Sequence, residues 1–324
     1  MEIGPPRLPP ELILQIIEAV LPSRPGAILS ASHPATKTLL ALTLVSRVTY
    51  EAASRLLRQR CVSLDSSPRL GTFLRCLPRL VPTLPPTLSL RGITTLYLRP
   101  FGRTLDDQPL ALWVRELFCE VCDSLRRLVV DMPFATMDRW SDHLSVRRTL
   151  RDGFARLARL EEFVCVRDYP TLSMADDETD VWRLWPELRR LVLFKVPVDN
   201  HWFWWDVATL PQLDTVVLPR PRNVAGVNVK DEYFHKLARD DPLLSREIRL
   251  VLVDVEKEHV PVVTTRWAEI DPAGRMTVEV YDVPTAFYGD EDADDLCSDW
   301  VRQAARNGSL WEWKGAVVQQ PGQV

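Results

Sequence analysis

Apolar residues follow two different periods along this chain, and the change between them divides it. Up to about Arg60 the period is helical. Leu12, Ile13, Ile16, Ile17, Val20 and Leu21 recur at i, i+1, i+4 and i+5, a stripe wide enough for two contacts. Pro9-Pro10-Glu11 predicts the helix start, because proline lacks the N–H that a first turn cannot use and Glu11 suits the positive helix end. Pro22 predicts the stop, and residues 23–36 read as loop from their Pro, Gly, Ser and His content. A second helical run is expected from about Thr38, carrying Leu39, Leu42, Val45, Ala52, Ala53, Leu56 and Leu57.

Beyond this the period becomes two. Six segments fit L-x-x-L-x-L, beginning at Ile93, Leu125, Leu160, Leu188, Leu213 and Ile248. Alternation predicts strands, and most spacers are long enough for a helix and two turns. The spacers at 110–123 and 147–160 keep helical spacing, and Cys61 to Leu64 is a weak forerunner of the strands. One strand and one helix per irregular unit describes a leucine-rich-repeat-like solenoid, in which each unit stacks on its neighbours because it cannot bury its apolar face alone. From about Val260 the pattern weakens to one alternating strand near 277–282 and a closing helix near 294–306. Residues 290–295 hold five acids in six positions, which reads as a solvated loop or as a docking site for a basic partner.

The leucines of the repeated segments are the expected core positions. The opposite face, read down its central column, is Tyr97, Val129, Val164, Val192, Val217 and Leu252. A solvated strand face should be polar, so this ladder is expected to be covered, either by the chain's own loops or by a partner. Arg99, Asp131, Val166 and Phe194 flank it on one side, and a rim of mixed charge around an apolar ladder suits an interface. Tyr97, Arg99, Val129, Val164, Val192 and Phe194 are therefore candidate contacts for a bound target. A second candidate is the string from His201 to Asp206, where Trp202, Phe203, Trp204 and Trp205 cannot all face one core. Either the rings wedge between repeats, or Trp202, Trp204 and Trp205 form an aromatic anchor for a partner.

Composition removes several function classes. The 12 glycines are never closer than seven positions, whereas 26 prolines punctuate the chain. Glycine spacing alone excludes G-x-G-x-x-G, G-x-x-x-x-G-K-[ST] and G-x-S-x-G. A net charge of −4 gives no reason to expect nucleic acid, and the central arginines lack interleaved aromatic platforms. Six cysteines are too few for a disulfide framework. Cys119 and Cys122 form C-x-x-C without a second pair or a nearby histidine, and read as structural cysteines rather than a metal or redox site. Five scattered histidines form no catalytic motif, so no cofactor, metal or catalytic residue is assigned. Without a signal sequence or a long apolar run, the expectation is an intracellular chain of a reducing compartment with no membrane partner.

The sequence LPPELILQIIEAVLP at 8–22, with LLALTLVSRVTYEAASRLL at 39–57, resembles a divergent, fungal-type F-box. The first matches the family's opening LP-x-E-[IL] helix and the second its L-x-x-L-x-x-V-[SC]-[RK] helix. The likeness covers roughly 50 of 324 residues. It departs from the family in a long link at 23–37 and in Tyr50, where an indole or phenyl ring is usual. An F-box followed by degenerate repeats is a familiar order of parts. The resemblance implies that these helices dock on a Skp-type adaptor joined to a cullin–RING ligase core. Leu8, Pro9, Leu12, Ile13, Ile16, Leu42 and Val45 are the expected contacts, since so small a unit holds more Leu, Ile and Val than it can bury. The alternative is that the stripe packs on the repeats.

The expected architecture is α/β: a three-helix F-box-like module at 1–60, an irregular solenoid at 61–260, and a cap at 261–324 with an acidic loop and a closing helix. The expected function is non-catalytic, a substrate receptor of an SCF-type ubiquitin ligase. A repeat scaffold without adaptor binding, and an enzyme with an unrecognised site beyond Val260, are the alternatives.

Overall fold

A computed structural model describes residues 9–24, 26–76, 90–137, 142–174, 178–238, 240–255, 266–285 and 292–318. The chain is a mixed α/β protein. It begins with α1 (Pro10–Ala19), α2 (Pro34–Leu42) and α3 (Arg47–Arg60). The expected second run is thus two helices, broken at residues 43–46. Ser46 causes the break. Its hydroxyl accepts from Thr49 N while the Thr49 hydroxyl accepts from Ser46 N, a reciprocal cap that starts α3 anew.

The alternating segments form one sheet whose nine strands, among the described residues, lie in chain order. They are β1 (Ser63–Leu64), β2 (Thr95–Leu98), β3 (Arg127–Val130), β4 (Glu162–Cys165), β5 (Arg190–Val192), β6 (Thr215–Pro219), β7 (Ile248–Asp254), β8 (Met276–Asp282) and β9 (Ala316–Val317). All pairs are parallel except β8–β9. Parallel neighbours need crossovers, and these supply α4 (Ser67–Arg75), α5 (Gln108–Val121), α6 (Val146–Ala155), α7 (His201–Thr209), α8 (Val229–Phe234) and α9 (Trp267–Ile270), while the described residues between β4 and β5 hold a 3₁₀ turn at Val181–Leu184.

The register places Tyr97, Val129, Val164, Val192 and Val217 in one row, as the sequence predicts. The sixth member is Val251 rather than Leu252. Ile248 to Val253 alternates from its first residue, so aligning Ile248 with the earlier starts shifts the register by one, and a one-residue slip turns every side chain to the other face. Leu250 and Leu252 instead join Leu96, Leu128, Phe163 and Leu191 in the main core beneath the crossover helices.

The last helix, α10 (Ala293–Asn307), runs over the other face of the sheet. Cys297, Val301, Ala304 and Ala305 pack on the Tyr97–Val251 ladder. Residues expected as a terminal cap therefore add β8 to the sheet and cover its face. The acidic run has a local use. Asp292 accepts from Asp294 N and Asp295 N to cap α10, and Asp294 pairs with Lys195 at 2.5 Å and Arg220 at 3.0 Å. Asp290 and Glu291 lie outside the described residues.

The link at 23–33 ties the N-terminal helices to the end of α10. Ile28 N donates to Arg306 O at 2.7 Å and Leu29 N to Arg60 O at 2.7 Å, while Ile28 itself enters the core under α10. Gly308 ends α10 in the left-handed region at φ 81°, and a Cβ there would lie 2.8 Å from Ala27 N. Both the backbone angle and this close approach require glycine.

Candidate functional site

The first helix shows how the sequence divides its apolar stripe. Ile17 is buried, and Ile13, Val20 and Leu21 pack with Leu39, Ala52, Ala53 and Leu56 in a small core of the three helices. Leu12 and Ile16, one turn apart on another face, are exposed, with Ile16 at 53%. Around α2 and α3 the same imbalance recurs: Leu40, Leu44, Val45 and Val48 are exposed, Leu44 at 87% and Val45 at 69%. In α1, α2, α3 and the turn at 43–46, three Leu, Ile or Val side chains are buried (Ile17, Leu39, Leu56), whereas seven are exposed. Exposed aliphatics in excess of buried ones suit a surface that another protein covers.

Of the expected adaptor contacts, Pro9, Leu12, Ile16 and Val45 are exposed, and Leu8 lies outside the described residues. Ile13 and Leu42 are half-buried against the module's own core, so they support the face from beneath. Sequence reasoning omitted Leu14, Leu40, Leu44 and Val48. Leu44 and Val48 flank the quoted V-S-R segment and could have been found from it.

The expected target surface on the strands is corrected by the structure. Tyr97, Val129, Val164, Val192 and Phe194 are buried under α10 and the chain that follows it, so the ladder is covered by the protein itself and presents nothing to a partner. Arg99 stays exposed at the rim, 3.4 Å from the buried Asp131. Asp131 also accepts from Arg302 of α10 at 2.7 Å and from the Tyr97 hydroxyl at 3.2 Å. Burial, and then the charge of Asp131, pushes the Tyr97 hydroxyl up to about 12.

The aromatic string opens α7, with Asn200 accepting from Trp202 N. Phe203 and Trp204 turn inward, and the Trp204 indole donates to Val198 O at 2.6 Å. Trp204 is thus a core residue, not an anchor. Trp202 is 69% exposed and Trp205 is partly exposed. The expectation that four successive rings cannot share one core holds, because a helix sends residues about 100° apart to different faces.

On the inner side of α7, Asp206 lies 3.3 Å from Arg183, yet burial outweighs that attraction and the charge of Asp180 adds to it. Together they raise the Asp206 carboxyl from 3.8 to about 6. The folded protein therefore holds this proton more tightly than the unfolded chain, and stability from it declines as pH rises from about 4 through 6. Asp206→Asn is expected to flatten the pH dependence of chemical denaturation over that range by on the order of 2 kcal/mol. An unchanged slope would show that Asp206 titrates normally.

Cys119 on α5 and Cys122, the residue that caps its end, are half-buried, and the Cys122 thiol donates to Cys119 O at 3.3 Å. Among the described residues no group of three or more His, Cys, Asp or Glu is placed to hold a metal ion, and no helix is long and apolar enough to cross a membrane. Comparison with protein-family models and with curated protein sequences gives no match.

Proposed function

We propose that the chain is the substrate-recognition subunit of an SCF-type ubiquitin ligase. In this reading the N-terminal helices form an F-box-like module that docks on a Skp-type adaptor. The strand–helix body is an irregular leucine-rich-repeat-like solenoid that presents a target to the cullin–RING core. The observation that carries the reading is the excess of exposed aliphatic side chains on α1 and around the α2–α3 turn. It coincides with the segments that resemble an F-box. Chain-order parallel strands joined by short helices support the solenoid.

The chain's own role would be proximity rather than chemistry, holding a target where a charged enzyme reaches its lysines. Because α10 covers the sheet, target contacts are assigned to exposed groups outside the ladder, Trp202, Trp205 and Arg99 among them. The reading implies an intracellular location. Purification of the full chain together with a Skp-type adaptor tests it. A stable complex is expected on size exclusion. Separate elution at micromolar concentrations would favour a repeat scaffold without a ligase role.

A further inference from the structure

We infer that the cleft between the N-terminal link and α10 binds an acidic, Asp- or Glu-rich peptide segment of a partner protein. One wall is the link, with Pro22, Arg24 and His33; the other is α10, with Asp299, Arg302 and Arg306. The cavity is about 850 Å³, within the range of clefts that take several ligand groups.

Its charge is opposite to that of the molecule. The chain carries −4 overall, yet three arginines and one carboxylate line this cleft. Arg302 hydrogen-bonds Asp299 as well as Asp131, so it neutralises the single acid. Arg24 and Arg306 remain, one on each wall. Arg24 is half-exposed and reaches Glu312 only at 3.5 Å, and among the described residues no acid pairs with Arg306. The Arg306 guanidinium lies over the Tyr97 ring, 4.9 Å from its centroid. Stacking fixes the plane of the group and leaves its edge N–H donors for a carboxylate.

Two further cations stand behind the link. Arg60 donates to Arg24 O and to Ala27 O, and Arg127 donates to Gly26 O. They hold that wall in place and add to the field in the cleft. His33 Nδ1 accepts from Ala35 N, which leaves its proton on Nε2 as another donor.

The same geometry argues against a bound phosphate ion. The amides of Ala27, Ile28 and Leu29, the stretch nearest α10, already donate to Arg24 O, Arg306 O and Arg60 O, so these three do not form a free N–H cradle for an anion. What the cleft offers is two guanidinium groups, Arg24 on one wall and Arg306 on the other, which suit successive carboxylates on an extended chain. Leu12 and Ile16 line neither wall, so this inference does not depend on adaptor docking.

The test is fluorescence anisotropy of the full chain with a fluorescein-labelled hexaglutamate peptide. Hexalysine, a Gly-Ser hexapeptide and a hexathymidylate serve as comparisons. Hexaglutamate is expected to bind, and to weaken as salt rises. Arg24→Glu, at a half-exposed site, and Arg306→Gln, which keeps most of the stem, should each weaken it by about fivefold or more with unchanged thermal unfolding. Leu12→Asp with Ile16→Asp should leave it intact. The inference is overturned if hexaglutamate does not bind, or if the Arg24→Glu/Arg306→Gln pair binds it as wild type. It is equally overturned if hexathymidylate binds as tightly, which would mark a general polyanion surface, or if the α1 double variant loses the peptide.

Discussion

Leu12→Asp combined with Ile16→Asp is expected to abolish association with a Skp-type adaptor while the chain stays folded. Both side chains lie on the outer face of α1 and are largely exposed in the free protein. Surface substitutions of this kind change stability by about 0.5 kcal/mol or less. In a docked complex the same two positions would be buried, and each introduced carboxylate would lose its water without gaining a partner. Two central contacts at about 2 kcal/mol each amount to a thousandfold or so in affinity. Size-exclusion co-elution and isothermal titration with the purified adaptor read this directly.

A neighbouring residue separates docking from folding. Ile17 is buried in the module's own core, and Ile17→Ala should lower stability by about 2–4 kcal/mol through the cavity it leaves. If the Leu12/Ile16 variant binds the adaptor as well as wild type, the docking face is wrongly placed. A variant at Ile17 that loses binding only on heating would show the module to be intact but weakened.

The strands were legible because their signal is local. Six alternating segments, spaced by enough chain for a crossover, place β2 to β7, and five of six members of the central column fall in the expected row. The sixth was misplaced by one residue because Ile248 is apolar at a position where the motif tolerates any residue. The closing helix was legible for the same local reason. What could not be read was its destination. An apolar ladder shows that something covers a face, but the cover, α10, begins only at Ala293, far along the chain from the end of β7 at Asp254, and nothing in the ladder distinguishes it from a partner. The cleft was equally hidden, since Arg24 and Arg306 come together through long-range contacts between the link and the end of α10, such as Ile28 N with Arg306 O and Arg127 with Gly26 O and Ala305 O. The long link, a departure from the F-box pattern, is the segment that makes this junction. The break before α3 was missed because a two-way Ser46–Thr49 cap outweighs an otherwise continuous helical stripe.

That junction depends on one buried side chain, and Arg127→Ala is expected to show the largest loss of stability, about 3–5 kcal/mol by chemical denaturation. Arg127 is the first residue of β3 and points to the α10 side of the sheet. It donates to Gly26 O in the link and to Ala305 O in α10 at 2.8 Å, and its charge lies 3.3 Å from Glu162. Burial draws its pKa below the ordinary arginine value while Glu162 opposes that pull, and Arg190 and Arg60 add repulsion. Its position is therefore held by the two terminal nitrogens that donate to Gly26 O and Ala305 O, not by charge attraction alone. Alanine would leave both carbonyls without this donor, and Glu162 with Arg190 and the Trp311 indole, each at 2.9 Å. Arg127→Lys keeps a charge but not the forked donors, so it should recover only part of the loss. Hydrogen exchange gives the sharper reading. In Arg127→Ala the amides of Ile28 and Ser309 should exchange before those of β3 and β4, because the link and the end of α10 part from the sheet first. Uniform loss of protection across the sheet would instead make Arg127 a general core residue. An unchanged denaturation midpoint would show that the link and α10 are held by their apolar contacts alone.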